Sequence, residues 1–231
     1  MKVWWLNKDK NFGDLLTPCI FDFFNIKYEY VSDSKIAECL CVGSIAHRST
    51  PNKLMLGSGI ITRDAKINSQ STWAFARGPL TRNRILELGG TCPEIFGDPA
   101  LLLPYFCAES KKEFDVGIVP HFVDYDLVKE KYKDYKVINV KNNNPLEVAK
   151  EITKCRSIIS SSLHGIIAAH AYNIPAAWVK FSNKIYGDDV KFFDHYQSLE
   201  IDGQLSSVEN PKFTSGVINL SPIINIFQSL K

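Results

Sequence analysis

The sequence predicts an α/β protein in which two Rossmann-like domains face each other across a cleft. Three observations support this: short apolar runs alternate with helical patterns, the alternation restarts after a charged break at 108–114, and 231 residues suffice for two domains of roughly 100 residues each. Because such alternation produces parallel sheets joined by crossover helices, each half should contain its own mostly parallel sheet. We place the N-terminal domain at residues 1–110 and the C-terminal domain at 111–231.

The first half begins with an apolar strand at 2–6 and a polar loop, NKDKNFGD. An apolar helix at 15–25 follows, with Asp14 as its candidate N-cap. Three short strand-like runs come next, YEYVS, CLCVGS and KLMLGSGI, and the strand TWAFA then leads into a helix with Pro79 in its first turn. The half ends on the segment PEIFGDPALLLP, just before the charged break.

The second half repeats the alternation. It reads as a strand at 115–121, the helix DYDLVKEKYKDY, the strand KVINV, a helix starting at Pro145, the strand RSIISS, the helix LHGIIAAHAYN and the strand IPAAWVKF. The remaining residues look irregular up to the apolar C-terminal segment IINIFQSL. We expect that segment to pack onto the first domain, with a peripheral membrane contact as the alternative.

Composition and charge exclude several classes of protein. The net charge is only +2 and the basic residues form no stripe or arm, which argues against a nucleic-acid binder. Six cysteines without a CxxC pair indicate reduced, buried thiols rather than a disulfide scaffold or zinc site. The N-terminus has too few apolar residues for a signal peptide, and no apolar run is long enough to span a membrane, so we expect a cytoplasmic protein.

Candidate site residues follow from the rule that ligands of parallel α/β sheets bind beyond the carboxyl ends of the strands. The loops that this rule selects are NFGD at 11–14, GSGI at 57–60, ARGPLTR at 76–82, GDP at 97–99, PHF at 120–122 and SSSLHG at 160–165.

The SSSLHG loop opens a helix that is apolar on nearly all sides. A helix N-terminus attracts anions, so the serines at 160–162 either cap the helix or donate hydrogen bonds to a phosphate. His164, in the first turn, is either a proton donor near neutral pH or a hydrogen-bonded surface residue. His170, six positions further along, points to another helix face, and we interpret it as a packed core or interface histidine.

Two loops of the first half add candidates. Arg77 precedes a proline-initiated helix, where its guanidinium could grip a carboxylate or phosphate with two hydrogen bonds. Arg82 is better explained as a solvated helix charge. In NFGD, Gly13 permits a tight turn, and Asp14 either caps the helix or binds a hydroxyl group.

Together with KFFDHY, these motifs resemble, in order from residue 11 to about 196, the polysaccharide pyruvyl transferase family. The similarity is greatest to its short, succinoglycan-type ketal-adding branch. The resemblance implies a fold like that of GT-B glycosyltransferases and transfer of the pyruvyl group of phosphoenolpyruvate onto two hydroxyls of a hexose. The product would be a cyclic ketal in a bacterial surface glycan, a capsule or exopolysaccharide precursor. It implies no metal or other cofactor, because phosphoenolpyruvate is the co-substrate.

The resemblance also implies site residues. The arginine of the ARG motif is Arg77, and the Leu-His pair is Leu163 and His164; these contact phosphoenolpyruvate in the family. The matching motifs add Asn11, Gly13, Ser161, Ser162, Gly165 and Lys191 as substrate-binding residues. Many relatives carry an arginine immediately before Leu-His, where this chain has Ser162. Candidates for the replacement cation are Lys180, Lys184 and Lys191, of which Lys191 lies with Asp194 in a segment similar to the family's.

We assign a role in the reaction to each of these residues as a hypothesis. His164 acts as general acid or base, Arg77 holds the donor's carboxylate or phosphate, and the helix start at Ser161 and Ser162 holds the phosphate. Asp14, on the facing domain, orients or deprotonates an acceptor hydroxyl.

Two other functions fit the same motifs. One is a GT-B glycosyltransferase that uses a nucleotide sugar, and the other is a non-catalytic glycan-binding assembly protein. The acceptor could be attached to a lipid diphosphate, a nucleotide or a polymer, and a lipid-linked acceptor would bring the protein to the inner face of the cytoplasmic membrane.

Overall fold

A computed structural model describes residues 1–231 and contains two five-stranded sheets, one in each half of the chain. The strands of the first half are β1 Lys2–Trp4, β2 Glu29–Tyr30, β3 Cys39–Leu40, β4 Leu54–Leu56 and β5 Thr72–Phe75. Those of the second half are β6 Phe114–Val119, β7 Lys136–Val137, β8 Cys155–Ser160, β9 Ala176–Val179 and β10 Leu205–Ser206. All neighbouring strands are parallel, which confirms the predicted α/β class with two parallel sheets.

The two sheets have the same topology. Their strand orders are β2-β1-β3-β4-β5 and β7-β6-β8-β9-β10, so in each half the first strand lies between the second and the third. The chain therefore reverses direction across the sheet between β1 and β3, and again between β6 and β8. Ligand sites of open α/β sheets lie at such switch points, outside the carboxyl ends of the strands. The loops after these four strands are therefore where a ligand site is expected.

Seven α-helices accompany the strands. They are α1 Leu16–Phe23, α2 Pro79–Glu87, α3 Tyr125–Lys131, α4 Pro145–Thr153, α5 Leu163–Ala171, α6 Val190–Ser198 and α7 Ser221–Gln228. Short 3₁₀ helices occupy Ala46–Arg48, Pro99–Tyr105 and Phe122–Asp124. Both α2 and α4 begin with proline, whose fixed φ and missing N–H suit the first helical position.

Two local predictions are wrong. Helix α1 begins at Leu16 with Leu15 at the N-cap position and no side-chain cap, and the Asp14 carboxylate instead accepts a hydrogen bond from Asn11 Nδ2 at 3.0 Å. Helix α6 lies in the stretch expected to be irregular. It forms because its apolar face is buried: Phe192 stacks on Trp178 with ring centroids 4.4 Å apart.

The two halves share a hydrophobic core. Its largest cluster of buried side chains includes Leu16 and Phe21 from the first half and Ile158 and Ile166 from the second. The loop before α1 is also hydrogen-bonded to the second half, since the N–H of Phe12 donates to the carbonyl of Val140 at 2.8 Å. Such an apolar contact restricts relative motion of the halves. The predicted division at 110/111 lies in the segment between the 3₁₀ helix Pro99–Tyr105 and β6.

The C-terminal helix α7 returns to the first half. The ring of Phe227 is fully buried and stacks on Phe24 at 5.1 Å, with edge contacts to Phe21 and Phe75. This confirms that the apolar C-terminal segment packs onto the first half of the protein. None of the helices combines the length and the apolar character that crossing a membrane requires.

All six cysteines are free thiols. Five are buried, and Cys19 is partly exposed. The expected burial of the thiols is confirmed for all but Cys19, and their reduced state stays a prediction.

Candidate active site

A cavity of about 230 Å³ lies where the two switch points face each other. Its wall contains Asn11 and Asp14 from the loop after β1, Ser44 and Arg48 from the region after β3, and His121 from the loop after β6. The loop after β8 adds Ser162, Leu163 and His164, and Lys191 comes from α6. The topology alone thus accounts for where this cavity lies.

A larger cavity of about 450 Å³ lies near the other end of α5 but has no acidic or basic side chain other than His170 in its wall. Nδ1 of His170 lies 3.0 Å from Nε2 of His195, and both rings are buried. Burial lowers the pKa of His170 to about 4, so its ring is neutral near pH 7. Of the two roles predicted for His170, a packed core or an interface histidine, the structure supports the first. The chemistry-bearing groups gather at the smaller cavity.

Six of the ten predicted site residues lie in the wall of the smaller cavity: Asn11, Asp14, Ser162, Leu163, His164 and Lys191. The other four, Gly13, Arg77, Ser161 and Gly165, lie behind the wall, where each supports a residue or element that shapes it.

The ring of His164 lies directly against the backbone of Gly13. A Cβ atom at position 13 would be 2.0 Å from Nδ1 of His164, far inside any allowed contact. Gly13 does not have a positive φ, so its expected use in a tight turn is not what requires glycine here. Glycine is required because the imidazole occupies the space of a side chain.

The other ring nitrogen of His164 faces Asp98. Nε2 of His164 lies 3.6 Å from Oδ2 of Asp98, and neither atom has a hydrogen-bond partner. Asp98 is fully buried, and its Oδ1 accepts the N–H of Ala100 at 3.0 Å, capping the 3₁₀ helix Pro99–Tyr105. The GDP motif therefore supplies a carboxylate to the histidine of the SSSLHG motif.

Asp14 is partly exposed in the cavity wall and contacts Asn11. Burial raises the pKa of its carboxyl group above the ordinary value, and the Asn11 hydrogen bond and the His164 charge oppose that shift. A carboxyl group whose pKa is raised toward neutrality is better suited to exchange protons at physiological pH.

Lys191 is a buried cation without a carboxylate partner. Its ammonium makes one long hydrogen bond, 3.5 Å to the carbonyl of Tyr186, while nearby Asp189 is paired with Lys180. Burial lowers the pKa of Lys191 to about 8, and the charge of Arg77 contributes. Of the three lysines predicted as replacements for the family's arginine, Lys191 is the one in the cavity wall.

Arg77 lies fully buried behind the cavity. Its Nε donates to Asp194 Oδ2 at 3.0 Å, Nη1 to Ser44 Oγ at 2.7 Å and Nη2 to the carbonyl of Ile60 at 2.7 Å. Room for the guanidinium exists because position 59 is glycine, where a Cβ would lie 2.1 Å from Cζ. The structure thus connects Arg77 to the cavity through Ser44, and its direct grip on a substrate anion stays a prediction.

Asp194 joins two of the sequence motifs. Beyond Arg77, its carboxylate accepts hydrogen bonds from the backbone N–H and the hydroxyl of Thr81, at 2.9 and 2.7 Å. A Cβ at Gly78 would lie 1.9 Å from the Asp194 carbonyl oxygen. The ARGPLTR and KFFDHY motifs therefore form one buried contact between the halves.

The three serines differ in role. Ser160 Oγ accepts the N–H of Ser162 at 3.0 Å, and Ser161 Oγ accepts the N–H of His121 at 2.8 Å, which ties the loops after β6 and β8 together. Ser162 is the N-cap residue of α5 by position, but its side chain makes no cap bond. The first N–H groups of α5 are therefore free of a side-chain cap and suited to an anion. Gly165 allows close packing on β6, since a Cβ there would lie 2.7 Å from Val119.

Two wall residues, Ser44 and Arg48, were missed by the sequence analysis, and His121 lies in the selected loop PHF but was given no role. Arg48 is held with its guanidinium 4.8 Å from the ring centroid of Trp4. His121 has its pKa lowered to about 4 by burial and by the charge of Lys191, so it is neutral near pH 7. Their position in the sequence could have identified two of these residues as site candidates, because His121 and Ser44 follow β6 and β3 closely, at the switch points.

Comparisons with known proteins agree with this arrangement. The model of the family described as polysaccharide pyruvyl transferase matches residues 11–183. A mimivirus protein, "Uncharacterized protein L143" of Acanthamoeba polyphaga mimivirus, is 35% identical over 171 residues, covering 70% of this chain and 60% of the viral protein. The succinoglycan biosynthesis protein ExoV of Rhizobium meliloti (strain 1021) is 26% identical over 218 residues, covering 86% of this chain and 64% of ExoV.

The chain thus spans less than two thirds of the length of either curated relative. No solved structure matches it. The matched region includes Asp14, Arg77, Asp98 and His164 and ends before Lys191.

Proposed function

Because the chain belongs to the polysaccharide pyruvyl transferase family, we propose that it transfers the pyruvyl group of phosphoenolpyruvate to two hydroxyls of a hexose in a surface glycan. Pyruvyl transfer to a polysaccharide is what the family supports, and the succinoglycan-related protein ExoV agrees with a role in polysaccharide synthesis. The donor, the ketal product and the acceptor sugar are our proposals. They are proposed for this chain alone, which covers 60% and 64% of its two curated relatives.

One observation carries the donor assignment: the cavity wall combines the unpaired cation of Lys191 with the uncapped start of α5. Buried cations are normally paired, so an unpaired one facing a cavity favours an anionic ligand. Phosphoenolpyruvate carries a carboxylate and a phosphate, two anionic groups for these two positive sites. We assign the phosphate to the start of α5 and Ser162, and the other anionic group to Lys191.

The size of the cavity favours a small donor over a nucleotide sugar. Its volume of about 230 Å³ lies below the roughly 300–1,000 Å³ of drug-sized ligand sites. The nucleotide-sugar glycosyltransferase is the alternative that this observation disfavours. We also propose that the two halves are arranged as in GT-B enzymes, which is supported by the paired switch points and by α7 packing back onto the first half.

The reaction needs proton transfers at two places. The methylene carbon of the donor gains a proton, the neighbouring carbon bonds to the first sugar oxygen, and that hydroxyl loses its proton. The second sugar oxygen then bonds to the same carbon as the carbon–oxygen bond to phosphate breaks. One hydroxyl proton thus ends in the new methyl group and the other on released phosphate.

Two side chains in the cavity are placed for these transfers. We assign the proton exchange at the donor to His164 and the acceptor hydroxyl to Asp14, which come from opposite halves of the protein. No metal or further cofactor is required by this chemistry. A lipid-linked acceptor would bring the protein to the inner face of the cytoplasmic membrane as a peripheral partner.

The test is to incubate the protein with phosphoenolpyruvate and lipid-linked, nucleotide-linked and polymeric hexose acceptors. We expect acceptor-dependent phosphate release and a product with the added mass of a pyruvate ketal, and loss of both in His164→Gln. A product gaining a hexose from a nucleotide sugar would support the glycosyltransferase instead. Glycan binding without phosphate release from any acceptor would support an assembly protein.

A further inference from the structure

We propose that Asp98 is a positioning residue that fixes the tautomer of His164, holding the proton on Nε2 and leaving Nδ1 as the atom that exchanges a proton in the cavity. The effect of this tautomer on catalysis rests on the proposed function. Its structural content, the tautomer, is independent of which donor is used.

The geometry pairs two buried polar atoms that have no other partner. Nε2 of His164 and Oδ2 of Asp98 are 3.6 Å apart, and both are among the few buried side-chain atoms of the protein without a hydrogen bond. Buried polar groups normally find partners, so two facing buried atoms without other partners indicate an interaction between them. Hydrogen bonds of this kind often tighten when substrate binds.

The carboxylate is held in one orientation. Its Oδ1 accepts the N–H of Ala100 at 3.0 Å, which leaves Oδ2 for His164. An ionised carboxylate only accepts hydrogen bonds, so the nitrogen facing it must carry the proton. With Nε2 protonated, Nδ1 of a neutral ring bears the free lone pair. Nδ1 is therefore the atom that takes up a proton to form the imidazolium, passes it to the methylene carbon of the donor and returns to the neutral form.

The face of the ring packs on Gly13, where a Cβ would lie over Nδ1, Cγ and Cε1 at 2.0, 2.2 and 2.5 Å. Gly13 therefore fixes the ring from its face and does not cover the in-plane lone pair of Nδ1. His164 comes from the second half, whereas Gly13 and Asp98 come from the first. The proton-exchanging group is therefore complete only when both halves are docked. The sequence signal for this is the GDP motif, whose aspartate would otherwise serve only as a helix cap.

Asp98→Asn tests the assignment without removing the cap. The N–H of Ala100 needs an acceptor, so the carboxamide oxygen stays there and its NH₂ group faces His164. A donor at that place requires Nε2 to be the acceptor, which moves the proton to Nδ1. We expect ¹⁵N NMR of histidine-labelled protein to report Nε2–H for His164 in the wild type and Nδ1–H in Asp98→Asn. The His164 signal is identified by its absence in His164→Gln.

The matched control is Asp124→Asn. Asp124 is also buried, its Oδ1 accepts a hydrogen bond from the Ser182 hydroxyl and its Oδ2 has no partner, but the ion pair of His164 is with Asp98 and not with Asp124. This variant should leave the His164 tautomer unchanged. If wild type shows Nδ1–H, or if Asp98→Asn leaves the tautomer as it was, the inference is wrong.

The activity measurement separates the inference from the proposed function. Asp98→Asn should lower kcat by about 10²–10⁴-fold, the contribution of a general acid–base group, with the KM for phosphoenolpyruvate unchanged. A wild-type protein inactive with phosphoenolpyruvate but showing the tautomer switch would overturn the function and keep the inference. Full activity in Asp98→Asn would overturn the positioning role.

Discussion

Nε of Arg77 lies 3.0 Å from Oδ2 of Asp194, and neither side chain has any solvent exposure. In every other ion pair of the protein at least one side chain is 10% or more exposed. The pair joins the segment after β5 to α6 and so connects the two halves directly behind the cavity. Arg77 and Asp194 therefore hold Ser44 and Lys191, their neighbours in the cavity wall, in fixed relation.

Removing one partner of this pair should destabilise the fold. Arg77→Met leaves the Asp194 carboxylate buried and charged, and Thr81 then donates its only remaining hydrogen bonds. We expect a loss of about 3–5 kcal/mol in the free energy of unfolding, measured by urea denaturation. The double variant Arg77→Met with Asp194→Leu should recover much of that loss, because no unpaired charge remains.

Arg82→Met is the matched control for Arg77→Met. Arg82 is paired with Glu94, whose side chain is 74% exposed, so we expect a change of at most about 1 kcal/mol. Equal losses in the two variants would contradict the structural role of Arg77. A raised KM for phosphoenolpyruvate in a stable Arg77→Lys protein would support its predicted grip on the donor.

Lys191 should make donor binding depend on pH in the alkaline range. Its pKa is lowered to about 8, so the ammonium is charged below that pH and neutral above it. Affinity for phosphoenolpyruvate should fall as pH rises through about 8. Lys191→Met should raise the KM for phosphoenolpyruvate about 10–100-fold at pH 7, the equivalent of a charge-assisted hydrogen bond. The measurement is KM for the donor between pH 6 and 9.5.

Two variants check the Lys191 prediction. Lys191→Arg keeps the charge at all these pH values and should abolish the alkaline loss of affinity. Lys184→Met removes an exposed lysine outside the cavity wall and should leave KM unchanged. An alkaline loss that persists in Lys191→Arg would show that another group is titrating.

Asp14 should set the acidic limb of the rate profile. As the base for the acceptor hydroxyl it must be ionised, and burial raises its pKa above the ordinary value near 4. Activity is therefore lost as pH falls through this raised pKa, earlier than an exposed aspartate would allow. The measurement is kcat/KM for the acceptor between pH 4 and 7.

Asn11→Asp and Asp14→Asn separate Asp14 from other titrating groups. Asp14→Asn should lower kcat about 10²-fold or more and remove the acidic limb. Asn11→Asp replaces the hydrogen bond that lowers the Asp14 pKa with a second carboxylate, so the limb should move to higher pH. If the loss of activity at acidic pH were unchanged in both variants, a group other than Asp14 would be responsible for it.

Much of the fold could be predicted from the sequence because its signals are local. The Pro79 and Pro145 helix starts, the β8-α5 unit and the return of α7 follow from proline chemistry and apolar periodicity. Helix α6 was missed because its stability comes from burial of Phe192 on Trp178, a contact that sequence periodicity does not reveal.

The site was also predicted only in part, because sequence signals report local structure and not contacts between distant residues. Residues in the segments that follow strands, such as Asp14 after β1 and His164 after β8, could be placed at the sheet edge. The pairings across the halves could not: Asp98 with His164 and Arg77 with Asp194 are separated by 66 and 117 residues. Only the packing of the two halves brings them together, and it turns Arg77 inward, away from the cavity wall.

Gly13 should be required for activity more than for folding. In Gly13→Ala, the Cβ would lie 2.0 Å from His164 Nδ1 and 2.2 Å from Cγ, so the ring must move. Displacing a reacting group by about 1 Å can cost about 10²-fold in rate, and we expect a loss of that size in kcat. Overpacking should cost about 1–3 kcal/mol in the free energy of unfolding.

Gly89→Ala is the control for Gly13→Ala, because the added methyl group at position 89 contacts no neighbouring atom. Its φ is +80° and a Cβ there contacts nothing within 4 Å, so strain of about 1–2 kcal/mol is expected without loss of activity. In the His164→Ala background the imidazole is gone, and Gly13→Ala should then be nearly neutral for stability. If Gly13→Ala destabilised both backgrounds equally, the contact between Gly13 and the His164 ring would not be what requires glycine at position 13.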